Sequence, residues 1–183
     1  MNVTKKILNF YKIPLLVSIT LFIVILGLTG LREPVDIGLV FLGCLLGTFF
    51  LDLDYIIYAY FTDPDKGFSQ TLKGYFKHND YTHAIAHIYY HQDDVKEKTL
   101  QSVLFQIIIG GFGIFMIFAP INFFARSIVL SIYVNSLYRL AHKHFSHKAD
   151  DWFWLLKEKP SKQGVKIYLI INALLFLIAI QFL

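Results

Sequence analysis

Five apolar runs constrain this 183-residue chain more than any other feature, because each is about as long as the roughly 20 residues a helix needs to cross a hydrocarbon core of about 30 Å. They cover approximately residues 12–31, 36–61, 100–119, 123–142 and 164–183. In lipid, backbone N–H and C=O groups must be satisfied within the segment, so runs of this kind fold as helices. The expected fold is an all-α polytopic membrane protein. It would be a bundle of about five transmembrane helices with short interfacial helices on the cytoplasmic side, one domain over residues 1–183. Composition agrees, since 16% of residues are charged against about 25% in an average soluble domain.

The opening "MNVTKKILNFYK" precedes an apolar run too long for a signal-peptide core and without a small-residue cleavage site, so it reads as an uncleaved first helix. The single cysteine, Cys44, lies inside the second run and excludes an intramolecular disulfide. Gly43 and Gly47 stand four apart, the spacing that lets two membrane helices approach closely.

Lysine and arginine are retained on the cytoplasmic side of a membrane. Three precede the first run (Lys5, Lys6, Lys12), five lie between the second and third, and seven fall from Arg139 to Lys166, leaving only Arg32 and Arg126 for the other side. The reading is an inner-membrane, multi-pass protein with a cytoplasmic N-terminus. The net charge of +4 then suits a face apposed to anionic lipid and calls for no nucleic-acid partner.

All seven histidines fall in two stretches, "KHNDYTHAIAHIYYH" and "HKHFSH", which this topology brings to the same face as "LDLDY". Imidazoles at helical spacing are common transition-metal ligands. His83, His87 and His91 form an i, i+4 ladder in which His83 and His87 could share a metal, whereas a water-facing amphipathic helix explains the same pattern. Asp80 is placed to cap that helix. His78 and His83 are five apart across a turn, a spacing no regular helix demands.

Asp52 and Asp54 interrupt an apolar run near its end, where an ionised carboxylate must find a cation, a metal or water. Two apart, they point to nearly opposite faces of a regular helix, so they serve different ends or the helix is irregular there. In the fourth run Ser131, Asn135, Arg139, His142 and Ser146 draw one polar stripe that should face the bundle interior. Arg139 could pair with Asp52 or Asp54, or offer its planar fork to a phosphate or carboxylate. Beyond it, Trp152 to Leu156 are expected to dip into the headgroup boundary until Pro160 ends the segment.

Gly47, Asp52 and Asp54 in "GTFFLDLDY", followed by His78, Thr82 and His83 in "HNDYTHA", resemble the motif of the YdjM-like family of inner-membrane metal-dependent hydrolases, which includes members under LexA control. The resemblance covers residues 43–84 and departs from the family pattern at Leu51, Asn79, Asp80 and Ala84. It implies a divalent metal, most simply zinc, held by Asp52 or Asp54 with His78 and His83, and Thr82 orienting a ligand. His87 and His142 complete the candidate metal set. An open metal position would activate water for ester or phosphoester hydrolysis, with the remaining carboxylate, Asp54, as general base and Arg139 stabilising developing charge. The location suggests a lipid or lipid-linked substrate and the bilayer as partner. Two other classes fit parts of the pattern: a di-iron lipid oxidase using the histidine clusters, and a non-catalytic membrane adaptor or transporter subunit in which the polar stripe is packing glue.

Overall fold

The computed structural model describes residues 3–119 and 121–182, with side chains from Phe10 onward. The described residues form helices and no strand: α1 (Val3–Thr29), α2 (Pro34–Phe50), α3 (Leu53–Ile57) continued by a π-helical turn (Tyr58–Thr62), α4 (Gly67–Lys77), α5 (Tyr81–His91), α6 (Val103–Phe118), α7 (Phe123–Phe145), a 3₁₀ turn (Ala149–Asp151) and α8 (Lys162–Gln181).

Helix α7 is the axis around which α1, α2, α6 and α8 pack. Its closest neighbour is α2, and the glycines decide that approach. A Cβ on Gly43 would collide with the Ser127 hydroxyl, and one on Gly47 would lie 2.9 Å from the Ile128 carbonyl oxygen. With the backbones this near, small polar side chains bond across the helices. Thr48 Oγ1 donates to Ser18 Oγ at 2.6 Å, Ser131 Oγ to the Cys44 carbonyl at 2.6 Å, and Asn135 Nδ2 to Ser18 Oγ at 2.9 Å. The expected interior stripe is thus present over Ser131, Asn135 and Arg139, the first two fully buried, but it does not continue inward to His142 and Ser146, which are exposed where α7 runs out beyond its packed neighbours.

The outside of this bundle is apolar. Ile23, Phe41, Phe112 and Leu174 all face outward, a pattern a soluble surface rarely sustains. Among the described residues two helices, over Phe10–Thr29 and Lys162–Gln181, are long and apolar enough to cross a membrane, and a third span arises if α2 and the Leu53–Thr62 segment count as one broken span. That corrects the expectation of five. The run over 36–61 bends by 43° at its break, α6 is a shorter apolar helix, and α7 spends its inner face on polar groups.

Helices α3, α4 and α5 make a smaller amphipathic cluster beside the bundle, with a core of Tyr55, Tyr58, Leu72, Ala84, Ile88 and Val95. Asn79, at φ 56°, ends α4 in the left-handed conformation, and the Asp80 N–H returns 2.9 Å to the Tyr75 carbonyl. Asp80 then caps α5, its Oδ1 accepting from the His83 N–H at 3.2 Å, in line with its expected role. The segment after α7 differs from expectation. Trp152 and Phe153 do not dip outward but are buried with Val103, Leu140 and Val165. The Trp152 indole finds a partner there, donating to Gln106 Oε1 at 3.0 Å; only Leu155 and Leu156 stay exposed.

Candidate functional site

The break between α2 and α3 separates the two aspartates. At Leu51 the helix tightens, with the Asp52 N–H reaching the Phe49 carbonyl at 3.0 Å, and the chain restarts at Leu53 in a new direction. Asp52 therefore faces α7, where its Oδ1 accepts from Arg139 Nη2 at 2.8 Å with both side chains largely buried. Asp54 faces the connection that leads into α6. Its two oxygens accept from the backbone N–H groups of Leu100 (2.8 Å) and Gln101 (2.7 Å), pinning that connection to the break.

Between α1, α7 and the 92–101 connection lies a cavity of about 350 Å³, within the range of small-ligand sites. Arg139, Lys98, Lys143 and Lys148 line it, against Asp93 as the one lining carboxylate among the described residues. Their other counter-ions stand behind the wall: Asp52 on Arg139, and Asp151 on Lys143 at 3.3 Å. Lys148 pairs with Asp93 at 2.7 Å, which holds the Asp93 carboxyl below its usual range. Phe10, Ile13 and Pro14 supply an apolar side from α1, and His142 and Ser146 stand at the exposed lip.

Lys98 is the unusual member. It is 4% exposed, donates to the Gln92 carbonyl at 2.7 Å and to Tyr55 Oη at 3.2 Å, and makes no ion pair among the described residues. An ammonium has three donors, so one remains for the cavity. Burial, reinforced by Lys143 and Arg139 and opposed by Asp54 and Asp93, pulls its pKa down to about 7.

The candidate metal residues are not brought together. Both Asp54 oxygens are taken by backbone donors and Asp52 Oδ1 by Arg139. His78 caps the end of α4 in solvent. His83 Nδ1 lies 2.8 Å from Asp80 on an exposed surface, a bond that draws the Asp80 carboxyl downward. His87 Nε2 meets the Phe68 carbonyl at 3.2 Å while its ring stacks on Phe68, and burial lowers its pKa. His142 alone of these lines the cavity. Among the described residues no three His, Cys, Asp or Glu side chains form a group able to hold a metal. The donor set implied by the resemblance therefore does not fit a shared ion.

Compared with protein-family models, curated proteins and solved structures, the chain matches none. The site rests on its own geometry. Of its residues, the sequence singles out Arg139, His142 and Ser146 by their stripe, and misses Lys98, Lys143 and Tyr55. Lys98 looks like one more loop charge, and no spacing marks it; only the fold of 92–101 over α3 buries it.

Proposed function

We propose that this is a membrane protein that takes the anionic head of an amphiphile into the Arg139 cavity, and that hydrolysis of a phosphoester held there is its chemistry. One observation carries the reading: Lys98 is buried, lacks an ion pair among the described residues, and shares the cavity wall with Arg139 and Lys143 while Phe10, Ile13 and Pro14 form an apolar side. A buried ammonium without a counter-ion is costly, and a bound anion removes that cost. In this reading α1, α8 and the broken span of α2 and the Leu53–Thr62 segment cross the membrane with α6 and α7 packed against them, and the lysine- and arginine-lined cavity faces the anionic lipid of a membrane surface. An acyl chain would run along α1 into the bilayer.

Cations fixed around a phosphoryl group favour the charge that develops as its ester bond breaks. His142 at the lip is suited to move the proton. This keeps the hydrolase class and the lipid-type substrate that the sequence suggests, without the Asp–His metal centre. Detergent-purified protein given dodecyl phosphate should release inorganic phosphate, and His142→Ala should abolish release while retaining binding. Binding without release in the unaltered protein would reduce the function to recognition. Neither binding nor release would sink the reading.

A further inference from the structure

We infer that the cavity is built for a terminal phosphate, a phosphomonoester dianion carried on an apolar chain, rather than for a diester or a carboxylate head. The inference rests on the reading above and narrows it. Of the four lining cations among the described residues, Lys148 is taken by Asp93, and the other three reach the cavity from two stretches of chain. Arg139 and Lys143 are four apart on one face of α7, and Lys98 comes from the connection that Asp54 pins across from them. A terminal phosphate offers three charged oxygens at tetrahedral angles, so each cation can meet one. A carboxylate presents two oxygens in one plane, and a diester has two left after its second ester bond. Either would leave one cation of the three without an oxygen.

Donor count points the same way. Arg139 and Lys143 each spend one donor contact on Asp52 and Asp151, so both keep N–H groups for a ligand oxygen, Arg139 having five donors in all and Lys143 three. Lys98 has the most to gain: burial erodes its charge, and a dianion restores it. The Tyr55 hydroxyl, which accepts from Lys98 at 3.2 Å, holds the ammonium in place.

The test uses the full chain in neutral detergent and four probes: dodecylphosphonate, its monomethyl ester, dodecanol and inorganic phosphate. The first two differ by one charge and one methyl group, and the carbon–phosphorus bond resists hydrolysis. Dodecylphosphonate should bind about tenfold or more tightly than the ester, as expected for an added charge-assisted hydrogen bond. Lys98→Met should erase that ratio. Lys143→Gln, at a partly exposed position, should reduce it and serves if the Lys98 variant does not fold. Equal binding of phosphonate and ester would overturn the phosphomonoester assignment and leave the anionic-amphiphile reading standing. Dodecanol binding as well as both would overturn the two together. Inorganic phosphate binding as tightly as dodecylphosphonate would uphold the dianion site and move its source from a lipid to the free ion.

Discussion

Arg139 Nη2 lies 2.8 Å from Asp52 Oδ1, joining the centre of the bundle to the point where the second helix breaks. The side chains are 11% and 13% exposed, so neither charge has ready access to bulk water. The pair fixes both the bend and one wall of the cavity. Arg139→Leu should therefore cost about 3–5 kcal/mol, the usual effect of stranding one member of a buried pair. Asp52→Asn combined with Arg139→Leu should recover part of that loss, because no charge is left unpaired. Thermal unfolding in detergent reads both; single and double variants of equal stability would show the pair to be incidental.

How far the sequence reaches is visible at this pair. The stripe through Ser131, Asn135 and Arg139 is legible because helical periodicity is a local property, and a polar stripe on an apolar helix has one place to go. The break at Leu51 is legible only as an alternative: two aspartates two apart allow an irregular helix or two separate roles, and what decides is non-local, since their partners are Arg139 and the Leu100 and Gln101 N–H groups, 87 and 46–47 residues away in sequence. Hydropathy overcounts the spans for a related reason. It counts α6 and α7 as full spans, whereas α6 is shorter than a crossing needs and α7 is enclosed by other helices, its apolar residues serving packing. The histidine ladder is legible as a helix and misleading as a metal site, since its partners are Asp80 and the Phe68 carbonyl.

Gly47 should tolerate no side chain. A Cβ there would sit 2.9 Å from the Ile128 carbonyl oxygen, against backbone that cannot rotate aside. Gly47→Val should destabilise by about 1–3 kcal/mol or prevent assembly of α2 on α7, while Gly38→Ala, with nothing within 4 Å, should be neutral or mildly stabilising. Unfolding midpoints of the two variants side by side decide the matter, and an unchanged Gly47→Val protein would refute the close approach.

Asp54 is a structural acceptor in this fold. Asn at that position keeps one acceptor oxygen and places an NH₂ against the second backbone donor, so Asp54→Asn should cost about 1–3 kcal/mol. Amide exchange at Leu100 and Gln101 should accelerate. A loss of bound metal without any change in exchange would instead return Asp54 to the role suggested by its sequence motif.

His78 and His83 should be dispensable for the cavity. Both are exposed, and His83 contributes one surface pair with Asp80, which is worth little. The double variant His78→Ala, His83→Ala should leave the unfolding midpoint essentially where it is and dodecylphosphonate binding unchanged. Elemental analysis of both proteins completes the comparison: stoichiometric metal lost in the variant would revive the metal-centre reading.

The pH dependence of stability should carry the signature of Lys98. Facing it are Asp54 and Tyr55 from α3, Arg139 and Lys143 from α7, and Gln92 and Asp93 from its own connection. Its pKa in the fold is about 7, whereas an unfolded lysine holds its proton to about 10.4. Between these values the unfolded chain binds more protons than the folded one, so this residue makes stability rise with pH across the window. The contribution is present above the unfolded value and is lost as pH falls toward 7. The slope should approach about 1.4 kcal/mol per pH unit, read as the difference between the wild type and Lys98→Met so that other groups cancel. Saturating dodecylphosphonate should flatten that difference, because the bound dianion keeps Lys98 protonated in the fold as it is in the unfolded chain. A wild type and variant with parallel pH profiles, with and without the probe, would remove Lys98 from the site.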